Sequence, residues 1–292
     1  MNRIARTAAL VGAAAAVAGE YVAARYYART QSPHRFVEED EQTAWTSPAH
    51  ELLAPVELAR FCASPEFRGG GAPRGGGAPV VLVPGFLMRG LYLRPLRTAL
   101  ERLGYRAEIA EIGLNADCLD VMTDRLLRVM NAARDAAGVP VHVVGHSMGG
   151  LLARAAAARE ARAVASVTVM GSPVRGLRMH PALRTTAAAV RAVIHAWRRD
   201  EVRPACLTLA CECVSVRALT MPLPALLPQL AIVTRYDGLA DWRYCADPAT
   251  MQVVEVTCSH MGLAWNAAAC RAIGEHLAVA SAATAGTQRS GR

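Results

Sequence analysis

The sequence has no lysine: all 32 basic residues are arginine, set against 24 acidic ones for a net charge of +8. These arginines are scattered along an alanine-rich chain. They form no dense blocks and are not interleaved with aromatics, which make up only 5% of the residues. A nucleic-acid surface relies on clustered positive charge, so the excess reads as compositional bias with some attraction to anionic membranes, and nucleic acid is not expected as a partner. C-x-x-C pairs are also missing, and Cys211-Glu-Cys213 is too close to be half of a zinc site. The cysteines at 62, 118, 206, 211, 213, 245, 258 and 270 are therefore either disulfides of an exported protein or small core residues. The uncharged stretch Thr7 to Gly19 is too short to span a bilayer by itself. Disorder is excluded by 53% hydrophobic and 19% charged residues, and 292 residues suffice for a sizeable core.

Residues 1–30 combine a basic start, Asn2-Arg3-Ile4-Ala5-Arg6, with Ala16-Val17-Ala18, which fits a signal-peptidase site. The helical pattern runs on through Tyr21 to Tyr27, so three readings stand: a signal peptide, an uncleaved helix lying on a membrane surface, and a plain soluble helix. Export or membrane association is favoured over the cytoplasm. Residues 31–50 read as an exposed polar connection. Glu51 to Phe61 has helical spacing interrupted by Pro55, and Arg68 to Pro79 twice repeats a glycine- and proline-rich unit typical of a flexible linker. Residues 31–78 are thus expected to be an extension and linker, and the globular domain to span 79–280.

Within that domain strands alternate with helices. Val80–Val83, Tyr105–Ile112, Val141–Val144, Val164–Met170, Ala231–Arg235 and Gln252–Val256 are strand candidates. Leu91–Leu103, Val121–Ala137, the stretch after Gly150 and Trp265–Ala280 are helical, and residues 281–292 should form a disordered tail. This alternation predicts an α/β fold with a doubly wound, mostly parallel sheet. It lapses over residues 174–228, where an amphipathic helix carries Leu183, Ala187, Val190, Ile194 and Trp197 on one face and Arg184, Arg191 and Arg198 on another. That insertion is either a cap over the site or a crossover decorated with extra helix. Arg178 and the arginine stripe suit carboxylates or lipid headgroups, or a solvated face.

The stretch around Ser147 organises the rest. Gly145-His146-Ser147-Met148-Gly149 fits G-x-S-x-G between a buried strand and a helix, the context in which the motif places a serine Oγ at the tip of a strained turn. The following helix points its free N–H groups where an oxyanion would form. A serine hydroxyl needs a base, and the base an orienting acid, both in loops after later strands. Asp237 in Tyr236-Asp237-Gly238 and His260 in Ser259-His260-Met261 meet that requirement in the order Ser, Asp, His. Asp241 is the alternative acid and Asp117 a weaker one. His146 should point away from its neighbour as elbow packing or a pocket wall. His142 reads as a satisfied core histidine, and His180, His195 and His276 as surface or cap residues.

Val80–Phe86, Gly145–Gly150, Tyr236–Trp242 and Ser259–Leu263 together resemble the α/β-hydrolase superfamily, and more narrowly its bacterial lipases and esterases. The resemblance covers about residues 79–280 and is absent from the first 50. It implies hydrolysis of a small-molecule or lipid ester through an acyl-enzyme, without metal or organic cofactor. Ser147 would be the nucleophile, His260 the base and Asp237 its orienter, with the oxyanion hole at the backbone N–H groups of Phe86 and Met148. Pro84-Gly85 stands where a lipase often has His-Gly. Ser147 argues against dehalogenase or epoxide-hydrolase chemistry, which puts a carboxylate at the elbow. An acyltransferase on the same fold and a non-catalytic binding protein are the other readings, and membrane contact would run through the N-terminus.

Overall fold

The computed structural model describes residues 47–176, 178–197 and 213–290. The signal-or-anchor stretch, most of the polar connection, Arg198, Cys206 and Cys211 lie outside these residues, as do the side chains of Arg184, Arg191 and His195. The chain enters through a 3-10 turn, Pro48–Leu53, capped by the Ser47 hydroxyl, and continues as α1, Ala54–Ala63. Pro55 stands in the first turn of α1 and starts that helix rather than interrupting it, because the N–H it lacks has no intrahelical partner there.

Strand β1 (Pro79–Val83), helix α2 (Arg94–Arg102), β2 (Arg106–Ile109), α3 (Leu119–Ala137), β3 (Val141–His146), α4 (Met148–Arg159) and β4 (Val164–Met170) follow. Then come α5 (Pro181–Trp197), α6 (Val214–Thr220), β5 (Gln229–Val233), β6 (Gln252–Glu255) and α7 (Ala267–Ser290). The six strands form one wholly parallel sheet in the order β2-β1-β3-β4-β5-β6. Its order reverses between β1 and β3, so the carboxyl end of β3 opens at a topological switch point. The mainly apolar strands β1, β3, β4 and β5 are buried throughout, whereas β2 and β6 alternate or carry polar ends and take the edges.

Successive side chains of a strand face opposite layers. Val81, Val83, Val141, Val143, Val167 and Val169 pack with α3, α4 and α6 on one side. Val80, Leu82, Val144, Leu230 and Ile232 pack with Phe61 of α1, Leu96 and Leu100 of α2, and Ile273 and Leu277 of α7 on the other. Cys245, Cys258 and Cys270 sit in these cores as buried thiols, and burial pushes the Cys270 thiol up to about 12. His142 is the core histidine its position predicted, bonded at 2.8 Å to Ser166 and 2.9 Å to Ser281. His276 is a correction: it is buried on α7 rather than at the surface, and burial pushes it down to about 4.

Two further expectations change. The glycine-rich segment 68–79 is packed, not a free linker: Gly75 and Gly77 donate to the carbonyls of Leu103 and Gly104. A Cβ on Gly75 would lie 2.5 Å from the Tyr105 ring, so this glycine serves close approach. Glu66 and Arg271 pair across to α7. Helix α7 also runs past 280, where a disordered tail was expected, with the Ser281 hydroxyl donating to Leu277 one turn back. The insertion divides. Residues 178–180 pair with the loop at 239–241 through a bridge between Met179 and Ala240, and Arg178 lies over the Tyr244 ring. Helix α6 lies on the sheet's α3–α4 face as a crossover, its first N–H groups capped by the Asp120 carboxylate at 3.2 and 2.7 Å. The buried Arg154 of α4 ties it down through the Met221 carbonyl and Gln229.

Candidate active site

Ser147 closes β3 and opens α4 with φ 55° and ψ −125°, a strained conformation for a non-glycine residue. Two glycines make room for it. A Cβ on Gly145 would sit 2.4 Å from Gly149 backbone, and one on Gly149 would sit 2.2 Å from the Val83 carbonyl. The turn is pinned by the Ser147 N–H, which donates to Met170 at 2.8 Å. Helix α4 starts at Met148, so the Met148 N–H has no intrahelical acceptor. Among the described residues the Phe86 N–H has none either.

The loop carrying Phe86 lies against the serine: a Cβ on Gly85 would be 3.2 Å from Ser147 Cβ. Buried Asn115 holds this loop by donating to the Pro84 carbonyl at 2.7 Å and accepting from Leu87 at 3.0 Å. The Tyr92 hydroxyl accepts from Gly85 N–H at 2.9 Å. Neither side chain was singled out from sequence, since each acts through a backbone group it meets only in three dimensions.

His260 is buried over the end of β4, its ring 3.0 Å from where a Cβ of Gly171 would lie. Its Nδ1–H donates to Asp237 Oδ2 at 2.7 Å, and Asp237 Oδ1 accepts from the N–H groups of Leu239 and Ala240 at 2.9 and 2.7 Å. Burial alone would lower the His260 pKa, but the Asp237 charge and hydrogen bond outweigh it and raise it. Asp241 faces away into a fork with Arg243 at 2.8 and 3.0 Å and caps the turn Trp242–Tyr244. Asp117 pairs with Arg125 at 3.4 Å. The structure thus joins Asp237 to His260 and leaves the two rival acids elsewhere. Among the described residues the Ser147 Oγ has no hydrogen-bond partner, so the serine–histidine link is not closed in this geometry.

His146, read from sequence as elbow packing or a pocket wall, is buried with its ring 4.8 Å from that of His260 and does more than pack. Its Nε2–H donates to the His260 carbonyl at 3.0 Å, which leaves Nδ1 as acceptor for the Tyr92 hydroxyl at 2.9 Å. Burial, then the neighbouring His260, pushes His146 down to about 3, so it stays neutral in this role. Two carboxylates from the N-terminal segment complete the surroundings: Glu51 accepts from the N–H groups of His260 and Met261, and Glu57 accepts from the N–H and hydroxyl of Ser259. Among the described residues no three His, Cys, Asp or Glu side chains are grouped to hold a metal, and no helix is long and apolar enough to cross a membrane.

The family model described as alpha/beta hydrolase fold matches residues 115–212, a stretch that includes Ser147 and ends before Asp237 and His260. No curated protein matches the chain. Among solved structures the chain is similar to Est1E from Butyrivibrio proteoclasticus, at 13% identity and a TM-score of 0.49, covering 72% of this chain and 92% of that one. It is similar as well to naproxen esterase from Bacillus subtilis, at 13% identity and a TM-score of 0.43, covering 77% and 96%. A third is the thioesterase domain from the curacin biosynthetic pathway, at 15% identity and a TM-score of 0.42, covering 69% and 92%. Likenesses this distant carry no information about reaction or substrate.

Proposed function

We propose that this chain, whose residues 115–212 match the alpha/beta hydrolase fold model and whose strands form a parallel sheet, is a serine ester hydrolase acting on lipid-like or other apolar acyl esters. The observation that carries the reading is the 2.7 Å bond from His260 to Asp237, beside a serine held at a strained strand-to-helix turn. Ser147 Oγ attacks the ester carbonyl while His260 Nε2 takes its proton. The resulting oxyanion is received by the N–H groups of Phe86 and Met148, each worth about 3 kcal/mol of transition-state stabilisation. Collapse passes the proton from His260 to the departing alcohol and leaves an acyl group on Ser147. Water, deprotonated by the same nitrogen, then releases the acid and restores the serine. Asp237 holds Nδ1 protonated, so that Nε2 is the free base, and stabilises the imidazolium formed in each half-reaction.

Membrane-surface contact through the N-terminal stretch is part of the same reading. The test is hydrolysis of p-nitrophenyl esters from acetate to palmitate by wild type and by Ser147→Ala. Wild-type turnover with a loss of about 10³-fold or more in kcat for the variant is expected. Equal, slow rates from two folded proteins would sink the hydrolase reading in favour of acyl transfer or binding. Because the base must be neutral, kcat/KM should rise with pH through the raised His260 pKa and fall below it.

A further inference from the structure

The loop that carries His260 is gripped from outside the sheet by residues more than 200 positions earlier in the chain. Glu51 accepts at 2.9 Å from the His260 N–H and at 3.0 Å from the Met261 N–H, one carboxylate spanning two consecutive amides. Glu57 accepts at 2.7 Å from the Ser259 N–H and at 2.5 Å from its hydroxyl, whose oxygen accepts in turn from Gly262 at 3.0 Å. Three successive N–H groups are thereby held by two charges. Gly262 is shaped to admit them, since a Cβ there would lie 2.2 Å from a Glu57 oxygen. From the opposite side His146 holds the His260 carbonyl, so the residue is pinned at both of its peptide groups. The same segment touches the acid loop, where Gly238 lies against Pro48 and the His50 ring meets Tyr236 edge-on at 5.4 Å.

We propose that Glu51 and Glu57 form a two-carboxylate clamp that sets the position of the His260 ring, making the segment 47–63 a working part of the site. Both are positioning residues, and the proposal rests on the hydrolase reading for its kinetic consequence alone. Hydrogen bonds from amides to a carboxylate are charge-assisted and about twice as strong as those to a neutral acceptor, so the clamp fixes the loop that follows β6. The charge has a second effect. Among the described residues the ionisable groups acting on His260 are Asp237 from the acid loop, Glu51 from the N-terminal segment and neutral His146 at the end of β3, while Gly171 after β4 lies against its ring and Glu57 acts on neighbouring Cys258. Of the two clamp residues, Glu51 adds to Asp237 in favouring the imidazolium.

The experiment compares full-length wild type, Glu51→Gln, Glu51→Asp and Glu57→Gln, with Glu255→Gln as a charge-removing control at an exposed carboxylate paired with Arg235. The first readout is the NMR titration of the His260 ring in a Ser147→Ala background, which needs no turnover. Glu51→Gln should lower the His260 pKa by about half a unit, while Glu51→Asp, which keeps the charge, and Glu255→Gln should leave it in place. The second readout is kcat and KM on a p-nitrophenyl ester. Glu51→Gln and Glu57→Gln should each lose about tenfold in kcat with KM within about twofold, and Glu51→Asp about fivefold through its shorter reach. In Glu51→Gln the acid limb of kcat/KM should move to lower pH by the same half unit. An unmoved His260 titration in Glu51→Gln overturns the clamp, as does full kcat in Glu51→Asp and Glu57→Gln. If the titration shifts but wild type hydrolyses no ester, the clamp stands and the hydrolase reading falls.

Discussion

At the scale of single residues, two buried aspartates four positions apart divide their work by what they face. Asp237 spends one oxygen on two backbone N–H groups and aims the other at His260, whereas Asp241 is matched to the Arg243 fork. Asp237→Asn should therefore lower kcat by about 10³- to 10⁴-fold, because the amide can stabilise the wrong tautomer. Asp241→Asn should keep kcat within about tenfold but destabilise the fold by about 1–3 kcal/mol, as half-buried Arg243 loses its charge partner. Ester kinetics beside a urea midpoint for each variant separates the two, and the reverse ranking in kcat would reassign the acid. That Asp237 rather than Asp241 would face His260 was readable from its place shortly after a strand and before a glycine. Its second role, holding the turn at 239–240, was not.

At the scale of elements, the insertion's second half illustrates how a helix earns its place by its caps and contacts. Helix α6 has seven residues, too few to persist alone, and its N-terminus depends on Asp120 from α3. Asp120→Ala should cost about 1 kcal/mol, seen as a drop of a few degrees in Tm, while kcat and acyl-chain preference stay within about twofold. A severalfold change in chain preference would instead make α6 part of a cap over Ser147. The glycine-rich strap at 68–79 shows the limit of reading composition. Glycine marks freedom in a solvated chain and close approach in a packed one, and only the Tyr105 ring and the α2 carboxyl end tell which applies.

At the scale of the whole molecule, stability depends on histidines kept neutral by burial. His142 and His276 are held down to about 4 and His146 to about 3. All three folded values lie below the unfolded one near 6.5, so the unfolded chain binds more protons between roughly pH 6.5 and 4. Their contribution is complete above pH 6.5 and is lost as pH falls toward those folded values, each by up to about 1.4 kcal/mol per pH unit. His260 has the opposite sign: its pKa is raised, so its contribution is present below pH 6.5 and fades as pH rises through the folded value. Three groups outweigh one, and the protein should be about 2–5 kcal/mol less stable at pH 5 than at pH 7.5 in guanidinium titrations. His276→Leu should shrink that difference by about 1–2 kcal/mol, since it removes one of the three rings whose pKa burial lowers. A stability curve flat from pH 7.5 to 5 would show that these rings are solvated.

Local chemistry determined most of what the sequence alone could specify. Mainly apolar runs rich in valine became the four central strands, and the alternating and polar-ended runs became the edges, since burial on one face or two is written in residue spacing. The Ser147 turn and the loops that carry Asp237 and His260 were legible as a candidate site for the same reason: each is a short motif placed just after a strand. What the tertiary structure alone decided lies in contacts between distant segments. Nothing near Glu51, Glu57, Tyr92 or Asn115 marks them, because each meets a backbone N–H or carbonyl, and a backbone group has no signature in sequence. The N-terminal segment reads as a lead-in until the fold sets its carboxylates against the amides of the His260 loop. Such pairings depend on where the sheet brings loop ends together, and only the folded chain supplies that distance.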